Sequence, residues 1–243
     1  MHLRFALISL FVLLLSAALC PGQAMGGAVL MDSTGTQGTP FSADVVEETT
    51  RVLADGNRIH EERHGRICRD SQGRQRNEME FFPQMAGTPT FQHVTIMDPT
   101  QHLLINLDPQ RKIATVNHLR PAPSPQMTVT PQSATPEAHV QAQARRQVHE
   151  EQLGTMQIEG FEARGTRITM TTPAGAEGNE KPIVTVTESW GSPVLRTVLL
   201  TKRDDPRNGQ SVHRLSNIQT GEPDLLLFQV PPDYQVKDNN PQP

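Results

Sequence analysis

The chain has 243 residues, of which 35% are hydrophobic, 4% aromatic and 20% charged, and its formal net charge is −4. This weak negative charge argues against a nucleic-acid partner, because such partners select a basic surface. The low hydrophobic and aromatic content favours a thin core with a large solvated sheet surface over a compact, many-layered enzyme.

Residues 1–24 have the pattern of an export signal. Arg4 supplies a positive charge, Phe5 to Leu19 form a nearly continuous apolar run, and residues 22–24 read Gly-Gln-Ala, a small-x-small cleavage pattern. We expect cleavage after Ala24. The apolar run is about 15 residues, shorter than the roughly 20 that a membrane-spanning helix needs, so a retained anchor is the alternative.

The two cysteines bear on processing and redox chemistry. Lipid attachment at Cys20 is an alternative to simple cleavage, but Leu19 stands where a small residue is required and Pro21 follows. After cleavage only Cys68 remains, so no intramolecular disulfide can form. We expect Cys68 to be a half-buried strand residue, and a redox nucleophile is the alternative.

Six strands joined by short turns are predicted after a flexible lead-in over residues 25–40. The turns are marked by Asp55-Gly56, by Asp70 to Gly73, by a proline-bounded loop at 83–89 and by Asp-Pro pairs at residues 98 and 108. The two Asp-Pro turns lie about ten residues apart, a spacing typical of successive antiparallel strands. The predicted strands are 41–53, 57–69, 74–82, 93–97, 101–107 and 111–119.

The composition changes between residues 120 and 152. Residues 120–136 contain five prolines and are predicted to form a linker or long loop. Glu137 to Gln152 are rich in Ala, Gln, Arg and Glu, which predicts a polar surface helix, with partial disorder as the alternative. Five further strands are predicted at 155–161, 164–172, 183–190, 194–202 and 210–218, and a disordered tail at 238–243.

These elements predict a mainly β fold. We expect a single domain over residues 41–237 with one or few helices and a large, curved, half-barrel-like antiparallel sheet of about eleven strands. Whether the two strand-rich halves form one sheet or two is left open.

The second half of the chain carries a recognisable pattern. It consists of Ile158 to Ala163, Glu188-Ser189-Trp190, Ser192-Pro193, Leu215 to Ile218 and Phe228 to Tyr234. Over residues 41–234 the chain resembles a group of exported, uncharacterised bacterial β-rich proteins. Its C-terminal pattern is distantly similar to the periplasmic lipoprotein-carrier (LolA/RseB-like) superfamily. That resemblance implies a curved sheet wrapped around helices that plug an apolar concavity, where some members bind acyl chains.

Apolar residues of the second half alternate along its strands, which predicts one apolar sheet face. Such a face serves either as plain core or as a lipid-binding surface. The residues concerned are Val184, Val186, Leu195, Leu199, Val212 and Ile218.

Charged residues occupy both faces of three adjacent strands in the first half. Their mixed signs predict cross-strand ion pairs over a solvated surface, and a docking surface for another protein is the alternative. They are Glu47, Glu48, Arg51, Arg58, Glu61, Glu62, Arg63, Arg66, Arg69, Arg74, Arg76, Glu78 and Glu80.

One short motif points to zinc. His60-Glu61-Glu62-Arg63-His64 matches the H-E-x-x-H pattern of zinc metalloproteases, which requires a helix to bring both imidazoles to one ion. The preceding Asp55-Gly56 turn indicates a strand instead, on which the two histidines would lie about 13 Å apart. A zinc metalloprotease is therefore a remote alternative, and we assign no metal, cofactor, catalytic or ligand-binding residue.

The sequence as a whole favours an exported, non-catalytic envelope protein located in the periplasm or outside the cell. We expect a binding or scaffolding module of lipoprotein-carrier-like type, with a lipid, a lipoprotein acyl chain or an envelope protein as partner. Neither nucleic acid nor a stable membrane span after signal cleavage is expected. The alternative is a protein-interaction module that uses the charged N-terminal hairpins.

Overall fold

The computed structural model describes residues 38–81, 91–119 and 147–239, which contain twelve strands and one short 3₁₀ helix, Leu225–Phe228. The strands are β1 (Phe41–Val52), β2 (Arg58–Arg69), β3 (Gln75–Phe81), β4 (Phe91–Asp98), β5 (Leu103–Asp108), β6 (Ile113–His118), β7 (Gln147–Ile158), β8 (Phe161–Thr172), β9 (Ile183–Ser192), β10 (Thr197–Asp205), β11 (Gly209–Thr220) and β12 (Gln235–Asp238).

All twelve strands belong to one sheet, in the order β12-β6-β5-β4-β3-β2-β1-β11-β10-β9-β8-β7. Two meanders, β1 to β6 and β7 to β11, meet where β1 pairs antiparallel with β11. The sheet is open, because the edge strands β12 and β7 do not pair with each other. The predicted mainly β fold with one large sheet is thus confirmed, and the two halves of the chain share that sheet.

Parts of the predicted secondary structure are wrong. Residues 147–152 of the predicted helix form the start of β7 and pair with Thr166 to Thr171 of β8. Pairing along a neighbouring strand outweighs the modest helix propensity of Gln and Glu. The next turn falls at Glu159 and Gly160, both with positive φ, so the predicted strand 155–161 ends at Ile158.

The twelfth strand has no counterpart among the predicted elements, and it makes the sheet mixed rather than purely antiparallel. β12 runs parallel to β6, and its last residue is Asp238, which the sequence places in a disordered tail. Backbone bonds frame the strand: the N–H of Gln235 donates to the carbonyl of Lys112 at 2.7 Å, and that of Asn239 to Val116 at 3.0 Å. A four-residue polar segment shows no alternating pattern from which such a strand could be predicted.

Several sequence predictions lie outside the described residues. These are the signal at 1–24, most of the lead-in, the loop at 83–89, the linker at 120–136 and residues 137–146 of the predicted helix. Within the described stretches, no helix has the length and apolar character needed to cross a membrane.

The predicted aspartate turns are confirmed, and a shared mechanism closes them. In each, a carboxylate oxygen accepts the backbone N–H of the residue two positions later, which fixes the turn locally. The accepting residues are Asp55, Asp70, Asp98 and Asp108, and Asp205 closes the turn between β10 and β11 in the same way.

Buried apolar side chains form two clusters. The central cluster joins both meanders and consists of Phe41, Ala43, Val45, Met79, Ala163, Leu195, Leu199 and Leu215. The second cluster lies mainly on β4 to β6, with one residue each from β2 and the 3₁₀ helix, and consists of Cys68, Val94, Ile96, Ile105, Leu107, Ala114, Val116 and Phe228. Leu227, Val230 and Tyr234 pack against the second cluster. The C-terminal segment, residues 222–239, therefore covers one face of β3 to β6 with residues 222–234 before it adds β12 to the edge of the sheet.

The six apolar residues predicted to share one face of the second half do not do so. Leu195 and Leu199 are fully buried in the central cluster, whereas Val212 lies three residues from Leu215 of that cluster on β11 and so points to the other side of the sheet. Leu199 lies at a register shift between Val198 and Leu200, and such a bulge disrupts the regular alternation of side chains.

Candidate functional site

The face of β3 to β6 that looks away from the C-terminal segment carries neutral polar side chains. On β4 to β6 they alternate with residues of the second cluster, and on β3 Asn77 lies between Arg76 and Glu78, so they point to the opposite side of the sheet. Asn77 is opposite Thr95. Thr95 is opposite Asn106, and Asn106 is opposite Thr115. We call these four residues the polar row.

Longer side chains flank the polar row on both sides. Gln75 is opposite Met97, and Met97 is opposite Leu104, so these three run parallel to the row on one side. Met79 lies two residues beyond Asn77 on β3. Met79 and Met97 are 8% and 6% exposed, and methionine side chains adapt readily to the shape of a neighbour. The polar row and its flanking residues together are the polar face.

Asn77 is the most deeply placed member of the polar row. It is 7% exposed, and its Oδ1 atom has no hydrogen-bond partner in the described part of the chain. The other members are half-buried, and Thr95 Oγ1 donates to Asn106 Oδ1 at 3.3 Å. The exposure of the side chains therefore decreases along the row. It runs from a half-buried group on β6 to the buried, unpaired Oδ1 acceptor of Asn77 on β3.

The charged residues of the first hairpin pair with one another, as predicted. Arg63 lies 3.9 Å from Glu47 and 3.8 Å from Glu61, and Arg51 lies 3.6 Å from Glu61. His64 Nε2 lies 3.3 Å from a carboxylate oxygen of a neighbouring glutamate on the same strand. Every one of these side chains is partly solvated, so each pair contributes little to stability.

Two of the arginines assigned to that surface belong elsewhere. Arg69 is 2% exposed, donates to the carbonyls of Thr39 (3.0 Å) and Leu195, and lies 5.0 Å from the ring of Phe41. Arg74 lies against the buried carboxylate of the turn that precedes it. Arg69 thus ties β2 to the loop between β9 and β10, and it is not available as a docking residue.

The zinc-protease motif lies on a strand. His60 Nδ1 is 3.1 Å from Thr50 Oγ1, and both histidines of the motif are exposed on β2. Residues four apart on a strand are separated by about 13 Å, too far for one ion. The described residues contain no group of three or more His, Cys, Asp or Glu side chains that could hold a metal.

Four titratable groups have shifted pKa values, and the two buried ones, Asp205 and Cys68, lie away from the polar face. Hydrogen bonds from Arg207 hold the pKa of the fully buried Asp205 carboxylate well below its ordinary value. Burial raises the pKa of the Cys68 thiol. Asp205 caps a turn and Cys68 belongs to the second cluster, so both groups have structural roles.

Sequence reasoning missed the polar face. Its signal was present in the alternation of β4 and β5, where Val94, Thr95 and Ile96 and then Ile105, Asn106 and Leu107 place one polar residue between two apolar ones. The alternation along a single strand predicts only that one side of that strand is solvated. The register across four strands was needed to show that these residues form a row leading to a buried amide.

Comparison with known proteins gave matches only at the level of structure. No family model matches the sequence, and no curated protein matches it. An uncharacterized conserved protein from Thermus thermophilus has 13% identity and a TM-score of 0.43, over 86% of this chain and 93% of that one. The Pseudomonas aeruginosa MucA/MucB complex matches with 10% identity and a TM-score of 0.42, over 84% of this chain but only 60% of the matched one.

A LolA superfamily protein from Nitrosomonas europaea also matches, with 8% identity and a TM-score of 0.31, over 82% of this chain and 95% of that one. A member of the LolA superfamily, which the C-terminal sequence pattern resembles, is thus among the matched structures.

Proposed function

We propose that this protein is a non-catalytic binding protein that holds its ligand on the polar face and acts outside the cytoplasm as a carrier-like module. One observation carries the proposal: only one of the two faces of β3 to β6 is covered by the C-terminal segment. The C-terminal segment covers one face, and the other carries half-buried neutral groups on Thr95, Asn106 and Thr115.

The sealed face shows how this fold completes a core. Phe228 is 4% exposed within the second cluster, and the carbonyl of Leu227 accepts a hydrogen bond from Arg76 at 3.0 Å. Lys112 pairs with Asp233 at 3.1 Å and lies over the ring of Tyr234. Apolar packing, backbone bonds and charge all hold the segment in place, so this face serves stability.

The polar face has the composition of a binding surface. Ligand sites combine apolar side chains with a few fixed polar groups that orient the ligand. The half-buried Leu104 supplies the apolar part, and the half-buried side chains of Thr95, Asn106 and Thr115 supply the polar part. Side chains of these types bind and orient a molecule, and neutral amides and threonines are poor proton-transfer groups.

Export and the class of partner belong to the same proposal. The apolar run from Phe5 to Leu19 and the small residues at 22–24 support transport out of the cytoplasm. A lipid, a lipoprotein acyl chain or a segment of an envelope protein would bury apolar surface against the half-buried Leu104 of the polar face.

The test is native mass spectrometry of the protein purified from a bacterial periplasm after expression of all 243 residues. We expect cleavage after Ala24 and an added mass that organic solvent releases. A bare chain mass, or zinc in place of an organic ligand, would contradict the proposal.

A second candidate function rests on the tip of the β1–β2 hairpin. Val52 and Leu53 are 66% and 43% exposed there, between the cationic side chains of Arg51 and Arg58. An apolar tip with basic neighbours suits an acidic protein partner. Replacing Arg51 and Arg58 by Glu should abolish a salt-sensitive pull-down of envelope proteins, and an unchanged pull-down would exclude this function.

A further inference from the structure

We propose that the outer edge of β7 pairs with one further strand, an extended segment of another protein that carries two adjacent cationic residues. This surface lies at the opposite end of the strand order from the polar face, so it is a second interaction site beyond the proposed function. Backbone hydrogen bonds would hold the added strand, and charge would select it.

The two edges of the sheet differ in their capacity to pair. At one edge, β12 is four residues long and contains both Lys237 and Asp238, and such a short, charged strand limits pairing with another chain. At the other edge, β7 is twelve residues long, is exposed except at Leu153 and Ile158, and pairs only with β8 among the described strands. Every second residue of an antiparallel strand turns its N–H and C=O away from its neighbour. β7 therefore presents backbone groups for pairing along its outer side.

An irregularity in β7 defines which part of the edge is regular. The register with β8 shifts between Gln152 and Gly154, and Gly154 has φ 82°. Such a bulge bends a strand and interrupts regular pairing. Residues 147–152, in contrast, pair with Thr166 to Thr171 without a break. We therefore place the added strand beside residues 147–152.

The charge of this stretch favours a cationic partner. Glu150 accepts a hydrogen bond from the side-chain amide of Gln152 at 3.1 Å and has no cationic partner among the described residues. Arg167 on β8 is shared between Glu151, at 2.8 Å, and Glu188, at 2.7 Å, so two carboxylates meet one positive charge. Negative charge is thus left over both at Glu150 and in the group around Arg167. Cationic residues on an added strand would compensate it.

The same charge argues against a second copy of this chain as the occupant. Antiparallel pairing of residues 147–152 with the same stretch of a copy would bring Glu150 and Glu151 against the same residues of that copy. Like charges facing each other on neighbouring strands are destabilising. A partner with two lysines or arginines in these positions gains attraction where a copy meets repulsion.

An exposed apolar residue sets the register of the partner. Val148 is 65% exposed, lies opposite Met170 on β8, and is close to Ile168, which is 41% exposed. An apolar side chain opposite Val148 would bury part of this surface. An antiparallel partner therefore has the order Lys-Lys-x-Val, with its lysines opposite Glu151 and Glu150 and its valine opposite Val148.

The test is an NMR titration of the nitrogen-15-labelled protein, purified from the periplasm, with capped peptides. Thr-Thr-Lys-Lys-Thr-Val-Thr-Thr has the expected order, and Thr-Thr-Glu-Glu-Thr-Val-Thr-Thr reverses its charge. We expect the lysine peptide to bind about tenfold more tightly, because attraction at two positions is replaced by repulsion in the other peptide. The amide signals that shift should be those of residues 147–152, and their exchange with solvent should slow.

A backbone control separates strand pairing from simple attraction between charges. The lysine peptide with all its backbone nitrogens methylated keeps its charge and cannot donate hydrogen bonds from its backbone. It should bind at least about tenfold more weakly than the unmethylated peptide, because several backbone hydrogen bonds are lost.

Two variants with the same change of charge test the position of the site. Glu150→Lys should bind the lysine peptide about threefold to tenfold more weakly and the glutamate peptide more tightly. Its melting temperature should be unchanged, because Glu150 is exposed at the sheet edge. The matched control is Glu62→Lys, at an exposed position of β2, and both of its affinities should equal those of the unaltered protein.

Several outcomes would overturn the inference. They are equal binding of the lysine and glutamate peptides, undiminished binding of the methylated peptide, shifts located away from residues 147–152, and no binding of any peptide. An equal loss of affinity in Glu62→Lys and Glu150→Lys would show that only the overall charge matters. A dimer whose β7 amides are protected without added peptide would show that a second copy occupies the edge. Lipid found on the purified protein would support the proposed function whatever these titrations give.

Discussion

Replacing Phe228 by alanine tests whether the C-terminal segment is an integral part of the core. Phe228 is only 4% exposed, packs in the second cluster and has the guanidinium of Arg74 5.1 Å from its ring centre. Phenylalanine-to-alanine changes in cores cost about 3–5 kcal/mol. A segment at the sheet edge can settle into part of the space, so we expect a loss at the lower end, about 3 kcal/mol.

Urea denaturation followed by circular dichroism measures this loss. With a slope of about 2 kcal/mol per molar urea, the midpoint should fall by about 1.5 M. Leu226→Ala is the matched control, because Leu226 lies in the same 3₁₀ helix but is 69% exposed. Its midpoint should move by no more than the change of about 0.5 kcal/mol that is usual for surface substitutions.

Equal effects of Phe228→Ala and Leu226→Ala would refute the role given to the C-terminal segment. A loss confined to the segment itself would also refute it. That result would appear as rapid hydrogen exchange at Gln235 and Asn239 with an unchanged global midpoint.

Three further predictions concern charge, backbone and thiol. Asp205→Asn should lower the free energy of unfolding by about 1–2 kcal/mol at neutral pH. Because the folded-state pKa of Asp205 is depressed, its contribution is present above the ordinary value of 3.8. The difference between the two proteins in pH-dependent melting should therefore shrink as the pH falls below about 4. Gly209→Ala should cost about 2 kcal/mol or more in urea denaturation, because Gly209 has φ 85° and a Cβ there would overlap the carbonyl oxygen of Thr50. Cys68 should react slowly with iodoacetamide at about pH 8 in the native protein and rapidly in urea, as followed by mass spectrometry, because it is buried and its thiol pKa is raised.

Each of these has a result that would contradict it. A difference between Asp205→Asn and the unaltered protein that is as large at about pH 2 as at neutral pH would show that the charge is unimportant. Gly160→Ala is the control for Gly209, since it has φ 82° with open space around it, and it should cost only about 1 kcal/mol of backbone strain. Fast labelling of native Cys68 would show that the second cluster opens readily.

The strands and turns of the first meander could be predicted from sequence because their determinants are local. Asp55-Gly56 and the Asp-Pro pairs at residues 98 and 108 fix turns through their own side chains and backbone. The strands between these turns therefore pair with their neighbours in the sequence. The strand predicted for residues 57–69 differs from the observed β2 by a single residue at its start.

Features that depend on distant partners could not be predicted. Residues 147–152 have the local character of a helix and become a strand because β8 pairs with them. The sequence does not distinguish Arg69 from its exposed neighbours. Arg69 is buried because it donates to carbonyls of the β9–β10 loop, which lies more than a hundred residues further along the chain. Predicting the polar face requires the register of four strands. Predicting β12 requires knowledge of its partner strand, which no local pattern in Gln235 to Asp238 indicates.

The pairing of β1 with β11 has a consequence for the kinetics of folding. Phe41 is opposite Thr220 and Thr50 is opposite Gln210, so the first strand cannot acquire this neighbour until nearly the whole chain has been made. β6 likewise cannot pair with β12 until residues 235–238 have been made. Each meander can assemble early from hairpins, but joining them requires closing a very long loop, which slows folding to milliseconds or longer. The emerging chain therefore remains incompletely folded until its last strands are available, with β1 and β6 exposed to other chains in the meantime.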